Sequence, residues 1–133
     1  MVACLCLLLS FQAYSQSDDV RTLLEQRIIE TNKVLPVSAM QGLVFKEMFV
    51  ADYSVCEVYE VDERYISFAS LKRKKGMMKK TLLKRYREDS TLKSWAKMAV
   101  ECNMDIVIRY VSKQSKDSFE TVLKTKDLAK CLY

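Results

Sequence analysis

The run Met104–Ser112 alternates strictly and constrains the fold more than any other part of the chain. Its larger apolar side chains share one face of an extended strand, and its charged side chains lie on the other. A polar turn at residues 114–117 leads into a second extended run, Ser118–Thr125. The two runs are predicted to form an antiparallel hairpin whose paired positions sum to about 230.

A second hairpin is predicted earlier in the chain. Gly42–Val50 and Tyr53–Val61 are rich in β-branched and aromatic residues, and only Ala51 and Asp52 separate them. In the later run one face carries Tyr53, Val55, Tyr59 and Val61, and the other carries Cys56 and Val58.

In the remaining segments of the chain, the apolar residues have the spacing that is typical of helices. A first helix is predicted from a Ser17 cap to Pro36, with an apolar stripe at Val20, Leu24, Ile28, Thr31 and Leu35. A second covers residues 65–88, with a stripe at Phe68, Leu71, Met78, Leu82 and Tyr86. Gly76 marks a place for a kink or break in it. Asp89 and Ser90 cap a third helix, which ends near Cys102.

These elements predict an α+β fold. Its core is a four-stranded antiparallel sheet made of two β-hairpins, with helices packed on one face. The predicted order of elements is α-β-β-α-α-β-β.

The apolar run Val2–Phe11 is too short to span a bilayer and is typical of a signal peptide. Small residues at Ala13 and Ser15 predict cleavage before Gln16, which divides the chain into a signal peptide, residues 1–15, and one domain, residues 16–133. A retained anchor is the alternative. No Lys or Arg precedes the apolar run, so we expect the true start upstream. The mature protein is predicted to be soluble, in a periplasm or outside the cell.

Cysteine and histidine content limits the chemistry. The chain has no histidine, which excludes Ser–His–Asp and Cys–His nucleophiles and removes the commonest metal ligand. We therefore expect no metal and no cofactor. Of the mature cysteines, Cys56 is predicted to be a buried thiol. The hairpin register brings Cys102 opposite about residue 128, which is three positions from Cys131. A Cys102–Cys131 disulfide is therefore predicted in the oxidising setting of export.

A basic run is the most evident candidate binding surface, with nine cations in the sixteen residues 72–87. Lys74 and Lys75 belong to it, and Lys75 falls in the apolar arc and must extend outwards to reach solvent. The run serves either as a solvated helix face or as a site for an anionic protein, glycan or lipid surface. Nucleic acid is not expected, because export takes the protein away from most of it and no aromatic stacking platform interleaves the cations. The predicted binding residues are Lys72, Arg73, Lys79, Lys80, Lys84, Arg85 and Arg87.

Two weaker signals involve tyrosines and a charged pair. A pocket between sheet and helix could be lined by tyrosines, although aromatic residues at such spacing are more often core; the candidates are Tyr53, Tyr59, Tyr65, Tyr86 and Tyr110. Asp105 and Arg109 share a strand face and are candidates for a surface ion pair.

The segment Glu30–Pro36, the hairpin after it, the basic helix and the strand from Met104 together resemble a known group. It consists of small exported proteins of Gram-negative bacteria with an Asn-Lys-x-Leu-Pro-like start and no assigned function. This resemblance implies a compact α+β domain, loosely cystatin-like in its order of elements, and it implies no catalytic residues.

The leading hypothesis is an exported, non-catalytic domain that binds a macromolecule or a component of the cell envelope. The alternative is a small-ligand or enzymatic domain with a cavity between sheet and helix lined by tyrosine and carboxylate side chains. A cavity with convergent polar groups would favour this alternative.

Overall fold

The computed structural model describes residues 19–133, which form five helices and five strands. The predicted signal peptide, its cleavage site and the Ser17 cap lie outside the described residues. In chain order the elements are α1 (19–34), β1 (Val37–Met40), β2 (Leu43–Ala51), β3 (Ser54–Val61), α2 (Phe68–Arg73), α3 (Lys75–Glu88), α4 (Ser90–Glu101), β4 (Asp105–Ser112), β5 (Ser118–Leu123) and α5 (Thr125–Lys130).

The strands form one mixed sheet in the order β1-β2-β3-β4-β5. The predicted four-stranded antiparallel sheet is therefore wrong. Strand β4 lies beside β3 in parallel, with Val55 opposite Ile106 and Val61 opposite Ser112. Three helices between β3 and β4 return the chain to the edge where β3 began, and a long crossover of this kind is what parallel neighbours require.

The predicted order of elements is also wrong, because the observed order is α-β-β-β-α-α-α-β-β-α. Strand β1 has four residues, all exposed, so it shows no alternation of burial. The helix predicted over residues 65–88 is two helices, and the break lies at Lys74 rather than at Gly76. Helix α5 is short and follows β5 directly.

Both predicted hairpins are confirmed. Strands β2 and β3 pair antiparallel from Leu43 opposite Val61 to Ala51 opposite Ser54. In the second hairpin Ile106 pairs with Leu123, which is within one position of the predicted register. The cap predicted at Asp89 is also confirmed, since its side chain accepts a hydrogen bond from the Leu92 N–H.

The core lies between one face of the sheet and the helices. Every helix contributes buried residues to it, among them Leu24, Phe68, Tyr86, Ala96 and Leu128. The strands contribute the positions that share that face, including Val55, Val61, Ile106, Ile108 and Leu123. The opposite face carries Cys56 and Val107, which are buried but lie outside this core cluster.

Candidate functional site

The basic run is divided between two helices. Lys72 and Arg73 end α2, and most of the others lie along α3. Lys79 faces β5 and α5, where its Nζ lies 3.6 Å from Asp127 Oδ2. Arg85 lies on another side of α3, beside Tyr110. Lys79 and Arg85, two of the seven predicted binding residues, therefore lie on different sides of α3.

A groove of about 230 Å³ follows one side of α2 and α3, and we call it the α3 groove. Met77 is 66% exposed in its wall, although the apolar side chains around it are half-buried. Lys74 and Arg85 lie along the groove eleven positions apart, so a cation stands towards each end of an apolar stretch. The lining residues are Leu71, Lys74, Met77, Met78, Thr81, Leu82, Arg85 and Tyr110.

A row of aromatic rings crosses the sheet beneath the helices. Phe45 stacks on Tyr59 with ring centroids 4.8 Å apart, and Tyr59 stacks on Tyr110 at 5.7 Å. The row continues from Tyr110 to Phe119 at 5.0 Å and from Phe119 to Phe68 at 5.3 Å. Strand register places these rings side by side, so the floor of the α3 groove belongs to a continuous packed layer.

Glu57 lies on this same face of β3, between Met48 and Ile108 on the neighbouring strands. Burial raises its pKa to about 7, because the apolar surroundings disfavour the ionised carboxylate. Burial, with Glu57 nearby, raises the pKa of Tyr110 to about 12 and that of Tyr86 well above its ordinary value. The cluster can therefore hold a proton on Glu57 near neutral pH.

Sequence reasoning found the tyrosines of this cluster but missed Glu57. Tyr59, Tyr86 and Tyr110 come together as the pocket hypothesis requires, whereas Tyr53 and Tyr65 are exposed. The available signal was a carboxylate at an inward position of an otherwise apolar strand face, between Val55 and Tyr59.

The ion pair predicted between Asp105 and Arg109 is wrong. Arg109 pairs across the hairpin with Glu120, its Nη2 donating to Oε1 at 2.7 Å. Asp105 instead accepts hydrogen bonds from the N–H and hydroxyl of Thr125, at 2.8 and 2.9 Å.

All three cysteines of residues 19–133 are free thiols, and the predicted Cys102–Cys131 disulfide is not seen. After Leu123 the chain forms helix α5 instead of extending β5, so Cys131 does not continue the hairpin towards Cys102. The Cys131 thiol donates to the carbonyls of Leu83 and Asp127 instead. Burial raises the pKa of all three thiols, which favours their protonated form.

Within residues 19–133 no group of His, Cys, Asp and Glu side chains could hold a metal ion. No helix of this part of the chain is both long and apolar enough to cross a bilayer. A second groove, of about 560 Å³, runs along α4 beside the C-terminus. Its lining residues are Ser90, Lys93, Ser94, Lys97, Val100, Glu101, Leu132 and Tyr133, and none of the clustered tyrosines is among them.

No protein-family model and no curated protein matches the sequence. Solved structures do share the fold. A candidate secreted protein of Pseudomonas aeruginosa superposes with a TM-score of 0.67 at 6% identity, covering 84% of this chain and 95% of that one. The pilotin EpsS from the type 2 secretion system of Vibrio vulnificus gives 0.59 at 10% identity, covering 86% and 96%. The type II secretion pilotin AspS of Vibrio cholerae gives 0.57 at 8% identity, covering 86% and 98%.

At these identities the likeness shows the fold alone. It is the fold of small α+β proteins that include secretion pilotins. The loosely cystatin-like order of elements implied by the earlier resemblance is not shown.

Proposed function

We propose that this chain is an exported, non-catalytic domain that binds a protein of a secretion system or of the cell envelope through the α3 groove. Two proteins with this fold are secretion pilotins, which favours an accessory role of this kind over catalysis. The predicted signal peptide supports export, to a periplasm or to the cell exterior.

The observation that carries this proposal is the exposure of Met77 in an apolar groove flanked by cations. Methionine is flexible and polarisable, and it is common on surfaces that accept apolar helices. Lys74 and Arg85 lie where they can pair with carboxylates on either side of an apolar stripe. The partner segment is therefore an amphipathic helix with acidic residues flanking its apolar face.

The remaining basic residues have a supporting role in this proposal. They belong to the same two helices without lining the groove, so their charge would attract an acidic partner over longer distances. They are Lys72, Arg73, Lys79, Lys80, Lys84 and Arg87. Reversing the charge of these residues should slow association with the partner and weaken the salt dependence of the association rate. The dissociation rate should stay nearly unchanged.

Photocrosslinking tests the proposal directly. A photoreactive residue at Met77 is expected to capture an envelope protein through a segment with acidic residues. The double variant Lys74→Glu, Arg85→Glu should abolish the capture, whereas the matched reversal Lys126→Glu, Lys130→Glu on α5 should leave it intact. An equal loss of crosslinked partner with both double variants would show that only net charge matters, and it would contradict binding through the α3 groove.

The Glu57 cluster favours a second candidate, a ligand site between the sheet and α3. A small ligand that hydrogen-bonds a protonated carboxyl would bind more weakly as the pH rises through about 7. The stacked rings leave this candidate second, because Phe45, Tyr59, Tyr110 and Phe119 pack on one another in a closed row. Ligand-induced shifts confined to the Tyr59 and Tyr110 ring signals would favour it over the groove.

A further inference from the structure

An apolar row crosses the side of the sheet that faces away from the core, and we call this side the outer face. The row consists of Phe49, Cys56, Val107 and Val122, which lie side by side because each is the register partner of the next. Cys56 and Val107 in the middle are 4% and 9% exposed, and the two residues at the ends are partly exposed. In the part of the chain that the structure describes, none of the four belongs to the core cluster or packs against it.

The helices of residues 19–133 pack against the other side of the sheet. Their buried side chains all belong to the core cluster, together with the inward positions of the strands. Strands β3 and β4 lie beside each other and run parallel. Parallel strands are usually covered on both faces, whereas antiparallel strands often leave one face to solvent. The middle of the outer face is therefore the place where a further layer is expected.

The apolar surface continues along these two strands. Val58 on β3 and Val111 on β4 lie on the outer face and are partly exposed. Each strand has eight residues, which corresponds to about 26 Å at about 3.3 Å per residue. A helix of about 18 residues has nearly the same length, at about 1.5 Å per residue. One helix lying along β3 and β4 would therefore cover this apolar surface.

The charges of the outer face are unevenly paired. On the side of β4 and β5 they neutralise each other in two ion pairs, Arg109–Glu120 and Lys124–Asp105. On the other side Glu47 and Glu60 have no ion-pair partner among the described residues. The chain as a whole carries a net charge of +5, so this part of the outer face is acidic on a basic protein.

We propose that the outer face binds a helix of a partner protein, whose apolar stripe lies along β3 and β4 and whose Lys or Arg side chains pair with Glu47 and Glu60. Charge favours this occupant over two others. A second copy docked face to face would bring two more unpaired carboxylates to the interface. The apolar run of this chain, residues 2–11, has no cation to offer them. The outer face is also distinct from the α3 groove, whose proposed partner is acidic.

Two variants of the full chain test this surface. Val58→Thr keeps a β-branched side chain on β3 and makes the apolar surface more polar. The double variant Glu47→Lys, Glu60→Lys reverses both unpaired carboxylates. Its matched control is Glu88→Lys, Glu101→Lys, which makes the same change of net charge at exposed positions where α3 and α4 end. An amide NMR spectrum of each variant shows whether it is folded.

Two synthetic peptides of about 18 residues are the probes. They share one leucine stripe, and one carries lysines beside the stripe where the other carries glutamates. Each is titrated into the labelled protein while the valine methyl signals are followed by NMR. The lysine peptide should shift the outer-face signals of Val58, Val107 and Val111 more than those of Val55 and Val61, which face the core. The glutamate peptide should leave the outer-face signals in place.

The variants should affect the lysine peptide unequally. Val58→Thr should weaken its binding about three- to tenfold, and reversal of Glu47 and Glu60 at least about fivefold. The control reversal on α3 and α4 should change it less than about twofold. Equal weakening by the two double variants would show an effect of net charge alone and would overturn the proposal. Absence of outer-face shifts with about 1 mM lysine peptide would overturn it as well.

Analytical ultracentrifugation without peptide tests the second copy as occupant. The proposal predicts a monomer, and a dimer that dissociates in Val58→Thr would assign the outer face to self-association and overturn the proposal. The variant Lys74→Glu, Arg85→Glu separates this surface from the α3 groove. It should weaken binding of the glutamate peptide and leave the lysine peptide bound to the outer face, so either proposal can fail without the other.

Discussion

The side-chain amide of Asn32 holds both backbone polar groups of Met48. Its Nδ2 donates to the Met48 carbonyl at 2.7 Å, and its Oδ1 accepts from the Met48 N–H at 2.9 Å. Strand β1 pairs with β2 only from Leu43 to Phe45, so Met48 has no strand partner on that side. The amide takes the place of a neighbouring strand and joins the end of α1 to the edge of the sheet.

Replacing Asn32 by alanine should destabilise the protein. The change removes two hydrogen bonds and leaves a partly buried backbone N–H and carbonyl without their partner. We expect a loss of about 1–2 kcal/mol in the free energy of unfolding, measured by urea denaturation.

Lys33→Ala is the matched control. Lys33 is the next residue of α1, and its ion pair with Glu30 joins two side chains that are 63% and 69% exposed. Such a pair contributes less than about 0.5 kcal/mol. An equal effect of the two substitutions would show that the Asn32 amide has no special role.

The lowered pKa of Asp105 predicts that the protein loses stability in acid. Partial burial acts to raise its pKa, but the hydrogen bonds from Thr125 and the nearby Lys124 ammonium outweigh it and hold the pKa below the ordinary value. A lowered pKa in the folded state stabilises the protein at neutral pH, and this contribution disappears as the pH falls below about 4. Asp105→Asn should therefore be less stable than wild type at pH 7, by less than about 1 kcal/mol.

Thermal unfolding at pH 7 and at pH 3 measures this difference. The gap between wild type and Asp105→Asn should shrink at pH 3. A gap that stays constant across this range would mean that the carboxylate charge does not stabilise the start of α5.

Local features of this fold were predictable from the sequence. The Asp89 cap, the β2–β3 hairpin and the register of Ile106 with Leu123 each depend on residues close together in the chain. A polar turn between alternating runs restricts how the runs can pair, which is why the register was nearly correct.

Features that depend on distant residues were not predictable in the same way. Helix α5 has no side-chain cap of its own, because Asp105 on β4 binds its first residue, Thr125. Strand β4 pairs in parallel with β3, and alternation within β4 is the same for either direction. The unpartnered Thr121 hydroxyl and the inward position of Glu57 emerge only when β3, β5 and the helices are placed together.

Glu57 predicts the opposite dependence on pH. Its folded-state pKa, about 7, is higher than that of an unfolded glutamate, near 4.3. The stability linked to its protonation is complete below about pH 4.3 and is lost as the pH rises through about 7. Glu57→Gln has no charge to bury. When the pH is raised from 5 to 8, its free energy of unfolding should therefore increase by about 1–2 kcal/mol relative to that of wild type.

Urea denaturation of wild type and Glu57→Gln at both pH values tests this relation. Glu47→Gln is the control, since Glu47 is an exposed residue on the neighbouring strand. Parallel stability curves for wild type and Glu57→Gln would contradict a raised pKa at Glu57.

The two glycines of the chain should respond oppositely to alanine. Gly42 has φ +88°, a conformation that strains an L-residue, and an added Cβ would lie 2.8 Å from the Tyr65 Cβ. The Tyr65 Cβ is fixed to its backbone and cannot swing aside, so Gly42→Ala should cost about 2 kcal/mol or more. Gly76→Ala meets open space within a helix and should be neutral or add up to about 1 kcal/mol. Urea denaturation of both variants in one buffer gives the comparison, and a stable Gly42→Ala would show that the turn before β2 can rearrange.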